Sequence, residues 1–427
     1  MKKKIILKLR KTIHHWFPDL FDKIKEIEDC RKKGFYELTE LIMAAIMMFI
    51  FKKESRNAFN NDREINEFKN NYRKIFNVRF PHMDTVNEVM KKLDERELEE
   101  LKAKLIRILL KKKLFRKSRL SDRYYRIVVD STHVMTVKEG HCENCLHKTS
   151  KTGKKTYFHS VLEAKLVSRE GFCISLGTEW LENVGEYDKQ DCELKAFVRL
   201  AEKLKTDYPQ LAICIVADGL YPNRTFFEIC REKGWEWIVT LKDGNLRSVW
   251  EEVLVLKELE EGNRRTDYKE VKGGVCSYTW LNGLNYQGFG LNWYECIVRK
   301  GEENTRFVYI SSLEIDWHNV LEMTQSGRMR WKIENEGFDI QKNHGYGLGH
   351  QYSEVSMKAM KNYYQCMQIA HIINQLFEMS SMVKELMTGK MTVKYLWEYM
   401  ISEMRHIRLS SGNLKHLLAE KIQFRYG

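Results

Sequence analysis

What most limits the fold of this chain is the order of its strand-like runs between residues 124 and 242. YYRIVVD is a short β-branched run ending in Asp130, and YFHSVLEAKLV and GFCISLG read as two further strands. LKAFVRLAEKLK then places Leu194, Phe197, Val198, Ala201 and Leu204 on one helical face. LAICIVAD follows as a wholly apolar strand ending in Asp218, then TFFEICREKG as a helix closed by Gly234, and WEWIVTLKD as another strand. Three strands, a helix, and then strand, helix, strand predict a mixed α/β sheet covered by helices.

The flanks have a different grammar. Up to about residue 120 the pattern is helical, with Leu38, Ile42, Ala45, Ile46 and Phe49 at helical spacing. The apolar run from Leu41 to Phe51 is about half the roughly 20 residues that a membrane span requires, so it reads as a buried core helix. PHMDTVNEVMKKL offers Thr85 and Glu88 as a capping box, which predicts a helix starting near Asp84. Nine Lys and Arg within 101–120 suit either a solvated helix face or phosphate contact. Between about 250 and 305 the chain turns to aromatic, Gly-rich alternation, in YKEVKGGVCSYTWL and NWYECIVRK, as antiparallel strands inserted before a last core strand, TRFVYISS. Beyond it, SMKAMKNYYQCMQIAHIINQLF reads as a Met-rich core helix, and the tail as helix to the end. The expected organisation is a helical, basic region over 1–120, a sheet-based domain over 121–345 with a β-rich insertion at about 250–305, and a helical region over 346–427.

A formal charge of +13, from 72 Lys and Arg against 59 Asp and Glu, favours a polyanionic partner, with nucleic acid ahead of a membrane surface. Ten cysteines scattered singly, apart from one close pair, are the usage of a reduced cytoplasmic protein and argue against a disulfide framework. MKKKIILKLRKTIHHWF has a basic start but neither a sustained apolar region nor a small-residue cleavage site, so no signal peptide is expected. The close pair, Cys142 and Cys145 in GHCENCLHKTSKTGKK, is flanked by His141 and His147. It is half of a zinc site, which Cys173, Cys192 or His159 would have to complete; the alternative is a reduced loop pair. KTSKTGKK reads as a flexible basic loop, suited to DNA contact or to solvation.

Two apolar strands each end in an aspartate, IVVDST at Asp130 and IVADGL at Asp218. In open α/β sheets reactive groups gather at the carboxyl ends of strands. A third carboxylate on a later helix would complete a site for two divalent cations, hard ions that take oxygen ligands and serve phosphodiester chemistry. RWKIENEGFDIQKNHGYGLGH supplies it: Arg330 and Glu334 are i, i+4 neighbours on a helix, while Glu336 falls about 200° further round. Phe338 and Ile333 are expected to pin that helix to the sheet. Glu179, Asp188, Asp191 and Glu193 read as caps and helix surface, with Glu193 in reserve for metal binding.

VVDSTHV, VADGLYPNRTFFEICREKGWEWIVTLKD and RMRWKIENEGFDIQKNHGYGLGH together resemble the DDE transposases of bacterial insertion sequences, in the cut-and-paste group with a Tyr-Arg-Glu-Lys helix. The resemblance covers roughly 120 to 345. It implies a ribonuclease H-like catalytic domain, a β-rich insertion before the last acid, and DNA cleavage and strand transfer with two Mg²⁺ (or Mn²⁺) ions. By position the acids are Asp130, Asp218 and Glu334, and Arg330 takes the arginine. The motif's tyrosine would fall at Gly327, and its lysine at Gln341, whereas a lysine comes one residue later, at Lys342. One extra residue between Glu334 and Phe338 would explain that slip; alternatively Glu336 is the third acid. The resemblance further implies phosphate contacts by Arg330 and Lys342 at the transposon end. It also implies a base-stacking aromatic in the insertion, for which Trp280 and Trp293 are the candidates, core packing being the other reading of both. The implied partners are double-stranded DNA, as terminal inverted repeats and as target, and a second copy of the chain on DNA; the implied setting is the cytoplasmic nucleoid. Competing readings are a ribonuclease H-like nuclease without transposition and a domesticated DNA-binding relative.

Overall fold

The computed structural model describes residues 4–137, 142–183, 189–259, 262–268, 274–350, 352–353, 356–387, 389, 391–410 and 424–426. The chain forms two compact units, one of residues 115–169 and 176–335, the other of 1–114, 170–175 and 336–427.

The first unit is built on a mixed sheet with ten strands among the described residues: β1 (Tyr125–Val137), β2 (Leu146–Thr149), β3 (Lys155–Val167), β4 (Cys173–Leu181), β5 (Ile213–Ala217), β6 (Glu236–Thr240), β7 (Arg264–Asp267), β8 (Val275–Tyr286), β9 (Phe289–Lys300) and β10 (Glu303–Ser311). β4 pairs with β3, β3 runs antiparallel to β1, and β5 and β6 continue parallel to β1. That order, β4-β3-β1-β5-β6, is the ribonuclease H-like arrangement the sequence implies. All five residues of β5 are buried, which is why it reads as an unbroken apolar run rather than an alternating one. The crossover from β5 to β6 is the helix Arg224–Lys233, capped by the Asn223 side chain accepting from the Phe226 amide and closed by Gly234 in the left-handed region at φ 69°.

The inserted strands extend the same sheet. β10 pairs antiparallel with β6, and β9, β8 and β7 follow as an antiparallel meander. Tyr278, Trp280, Tyr294 and Tyr309 from these strands bury against Val320 and Met323, and the Tyr294 hydroxyl donates to the Met323 carbonyl at 3.2 Å. The helix Val320–Arg328 is thereby packed on the sheet.

A buried charge fixes that helix further. Arg126 on β1 is 1 % exposed. Its guanidinium donates to Glu322 Oε1 at 2.9 Å, to Ser326 Oγ at 2.7 Å and to the Ser118 carbonyl at 2.5 Å. Gly327 completes the fit, because a methyl group built there would lie 2.5 Å from the Tyr309 ring. The tyrosine that the motif carries at this position has no room.

The second unit is helical. The helix Leu38–Ile50 is buried along its whole length, and no helix among the described residues is long and apolar enough to cross a membrane. The Met-rich helix Met357–Glu378 is buried nearly throughout, and its Asn362 side chain donates to the Met90 and Leu93 carbonyls at 2.9 and 3.0 Å. The expected capping box at Thr85 is absent. The helix there is Met83–Met90 and is capped by His82, whose ring accepts from the Asp84 amide. The reciprocal Glu pair forms instead at Glu37 and Glu40, at the start of the helix Leu38–Ile50.

Replacing Arg126 with Ala leaves Glu322 and Ser326 without their buried partner, and is expected to lower the unfolding free energy by about 3 kcal/mol in urea denaturation. Gly327→Ala is expected to cost about 1–3 kcal/mol through overpacking against Tyr309. A loss well under 1 kcal/mol for Arg126→Ala would contradict its role as the anchor.

Candidate active site

The register of β1 and β5 brings the two aspartates together. Val128 pairs with Val216, so Asp130 and Asp218, each two residues further on, lie level with one another: Asp218 just past the carboxyl end of β5, and Asp130 inside β1, which does not end there as expected but runs on to Val137 along β3. Asp218 accepts from the Leu220 amide at 2.8 Å, and Lys242 lies 3.4 Å from its other oxygen. Gly219 leaves the space for Lys242, whose stem would be 2.8 Å from a methyl group on that residue. Asp130 accepts from the Ser131 amide at 2.9 Å.

Arg330 ties the third element to this pair. Its Nη1 lies 3.1 Å from Asp130 Oδ2 and 3.0 Å from Glu334 Oε1, so one nitrogen contacts both carboxylates. Glu334 is therefore linked to Asp130 through Arg330. Glu336 belongs to the helical unit, where its Oε2 approaches Gly171. Ile333 and Phe338 are both buried. The backbone between them departs from the expected α-helix, because Ile333–Asp339 is π-helical. A π-helical stretch holds one residue more than the α-helix it interrupts. That is the offset by which Lys342 departs from the spacing of the motif that the sequence resembles. Lys342 itself is exposed, on the short helix Ile340–Asn343.

A fourth acid joins the cluster. Glu193 opens the helix Glu193–Asp207; its Oε1 accepts from the Ser131 hydroxyl at 2.5 Å and its Oε2 from the Tyr221 hydroxyl at 3.5 Å. Burial raises its pKa, the Ser131 hydrogen bond opposes the rise, and the negative charge of Asp218 adds to it. For Asp130, burial pushes the carboxyl up to about 7, against the pull of Arg330 and of the Ser131 amide; Glu193 and Glu334 push the same way as burial. The site thus holds more carboxylate than its two cationic side chains neutralise. The donors are all carboxylate oxygens, half-buried at Asp130, Asp218 and Glu193 and exposed at Glu334, a set that fits a hard divalent cation such as Mg²⁺.

Sequence reasoning underrated Glu193, and it missed Ser131, Lys242 and Trp331. The last is 57 % exposed, with the Arg330 guanidinium 6.0 Å from its ring. Trp280 and Trp293 correct the stacking expectation: they are 4 % and 0 % exposed, so neither offers a face to a base. Their rings are needed by the core of the extended sheet. Glu179 and Asp191 both pair with Arg199, away from the strand ends. Asp188 and His141 lie outside the described residues. The basic run over 101–120 divides. Lys102 is buried and donates to Ser175, and Lys104 pairs with Glu26, whereas Lys111, Lys113, Arg116 and Lys117 are exposed. KTSKTGKK is a tight hairpin tip between β2 and β3, closed by the Ser150 amide on the Lys154 carbonyl at 2.9 Å.

No family model and no curated protein matches the chain. Among solved structures, a piggyBac transposase synaptic complex with hairpin DNA, determined by cryo-EM, is similar over 97% of this chain and 86% of that chain, at 13% identity and a TM-score of 0.42. A likeness this remote leaves the functional reading to the residues themselves.

Because both tryptophans fill core space, Trp280→Ala and Trp293→Ala are each expected to cost about 3–5 kcal/mol in urea denaturation. Unchanged stability in either variant would return that ring to the list of DNA-facing candidates.

Proposed function

We propose that the chain is a DDE transposase of the group with a Tyr-Arg-Glu-Lys helix, which binds the terminal inverted repeats of its element, cuts DNA and joins the freed 3′-hydroxyl to a target. The observation that carries this reading is the matched position of Asp130 and Asp218 on neighbouring parallel strands, with Glu334 linked to Asp130 through Arg330. The sequence resemblance agrees with it at the three acids and at Arg330, though not at Gly327, and the π-helical turn supports Glu334 over Glu336 by offering a source for the displaced lysine.

In this reading Asp130, Asp218 and Glu334 hold two divalent ions, Mg²⁺ or Mn²⁺, which when bound supply activation of the attacking water or hydroxyl and stabilisation of the leaving oxygen. Glu193 is the reserve ligand and, through Ser131, steadies the strand end beside Asp130. Arg330 and Lys242 are the cations that a scissile phosphate would meet; drawn to it, they leave the carboxylates they now contact. Trp331 offers the exposed ring beside them for an unpaired base. Lys342 and the exposed cations Lys111, Lys113, Arg116 and Lys117 are available to flanking DNA backbone. Cutting at two ends calls for two copies of the chain on DNA.

The test is cleavage of duplexes carrying the repeats that flank the coding sequence, with purified full chain and Mg²⁺. Asp130→Asn, Asp218→Asn and Glu334→Gln are each expected to reduce cleavage by at least about 10³-fold while retaining DNA binding, and Glu336→Gln to cut within a few-fold of wild type. Cleavage by Asp218→Asn at the wild-type rate would sink the proposed site. Trp331→Ala is expected to leave stability unchanged and to weaken binding of a substrate with an unpaired base by about 1–3 kcal/mol in a titration.

A further inference from the structure

We infer that Cys142, Cys145 and His159 form a structural zinc site on the β1–β3 ribbon, separate from the carboxylate cluster. The two sulfurs lie 3.4 Å apart, and each is 3.2 Å from His159 Nε2. Among the described residues this is the group of His, Cys, Asp and Glu whose ligand atoms all fall within 4.8 Å of one another. A tetrahedral zinc ion, with bonds of about 2.3 Å to sulfur and about 2.0 Å to nitrogen, holds such atoms roughly 3.5–3.8 Å apart. The three atoms are therefore within a few tenths of an ångström of the spacing an ion needs. The sulfurs are also well beyond the ~2.0 Å of a disulfide bond.

The fold delivers these ligands by register. Leu146 of β2 pairs with Phe158 of β3, which sets Cys145 opposite His159 across the hairpin. Cys142 returns to the same point through a tight turn, in which the Cys145 amide donates to the Cys142 carbonyl at 3.3 Å. The turn is tied down from outside. Asn183 donates through its side chain to the Cys145 carbonyl at 3.0 Å and through its amide to the Asn144 carbonyl at 3.2 Å. Gln190 bonds both the amide and the carbonyl of His147.

Burial and charge point the same way. His159 is 0 % exposed and Cys145 5 %. Two thiolates and a neutral imidazole around a doubly charged ion make an uncharged cluster, the form that a buried position tolerates. Sulfur and nitrogen donors suit zinc, whereas the oxygen donors at Asp130 and Asp218 suit magnesium. His159 stands opposite Met135, and Glu163, four residues along β3, stands opposite Asp130, so the two sites lie roughly 13 Å apart along the ribbon. At that separation the ion has no part in chemistry at the acids. It staples the end of the ribbon whose tip carries Lys148, Lys151, Lys154 and Lys155. Three protein ligands leave the fourth position of the tetrahedron to water or another donor. This inference does not depend on the transposase reading.

The test uses the reduced full chain, stripped with a chelator and titrated with Co²⁺. Wild type is expected to develop tetrahedral ligand-field bands and a thiolate-to-cobalt charge-transfer band that saturate at about one equivalent and are bleached by Zn²⁺. Binding at carboxylates gives no thiolate band, so the two sites are told apart. Cys145→Ser is expected to abolish the charge-transfer band or reduce it by more than half, and Cys192→Ser to leave it intact. Protein prepared in zinc-containing medium should carry about one zinc per chain by elemental analysis. His159→Ala is expected to weaken cobalt binding at least about tenfold; if it does not fold, the wild-type cobalt spectrum still decides. No thiolate band in fully reduced wild type, or a band unchanged by Cys145→Ser, would overturn the assignment.

Discussion

The arrangement of the acids depends on one buried guanidinium. Arg126 lies on β1 four residues before Asp130, and it holds Glu322 and Ser326 of the helix Val320–Arg328. Arg330 and Glu334 follow directly on that helix, so the strand carrying the first acid also fixes the segment carrying the last. A buried arginine is costly unless every donor is used, and here it has a carboxylate, a hydroxyl and a carbonyl. The close approach also needs Gly327, since even a methyl group there would meet the Tyr309 ring.

Electrostatics at the strand ends are left in tension. Among the described residues Arg330 pairs with Asp130 and Glu334, Lys242 pairs with Asp218, and Glu193 accepts from the Ser131 hydroxyl, while burial holds the Asp130 carboxyl up to about 7. A solvated surface would relieve that tension by spreading the charges. A cluster that keeps it is suited to bringing in external positive charge, which is the argument for divalent cations here. Arg330 here pairs with Asp130 and Glu334; in the proposed function it would be released toward phosphate.

The strand order, the βαβ crossover and Asp218 were legible because a parallel buried strand reads as an unbroken apolar run closed by a polar residue; Asp130 closes the apolar run of β1 but not the strand, which continues through the polar STH to Val137. The pairing of Arg330 with Glu334 followed from helical spacing alone. Other features were hidden for physical reasons. A π-helical turn has no signature in residue type, so the slip before Lys342 left an extra residue between Glu334 and Phe338 and a shift of the third acid to Glu336 both open. Glu193 looked like a helix-surface acid because its partner, Ser131, is 62 residues away in sequence. The aromatic residues of the insertion suggested a stacking platform, but tryptophan serves core and surface equally well, and only burial distinguishes Trp280 from Trp331. His159 gave no sign of its link to Cys142 and Cys145, because that link is made by hairpin register.

The central claim is that the strand-end carboxylates form a divalent-metal site. Anomalous scattering from crystals of the chain soaked with Mn²⁺ tests it most directly. The account predicts manganese peaks coordinated by Asp130, Asp218 and Glu334, with the Arg330 guanidinium displaced from between Asp130 and Glu334. Manganese found only elsewhere, with these three side chains unliganded and Arg330 still bridging two of them, would contradict it.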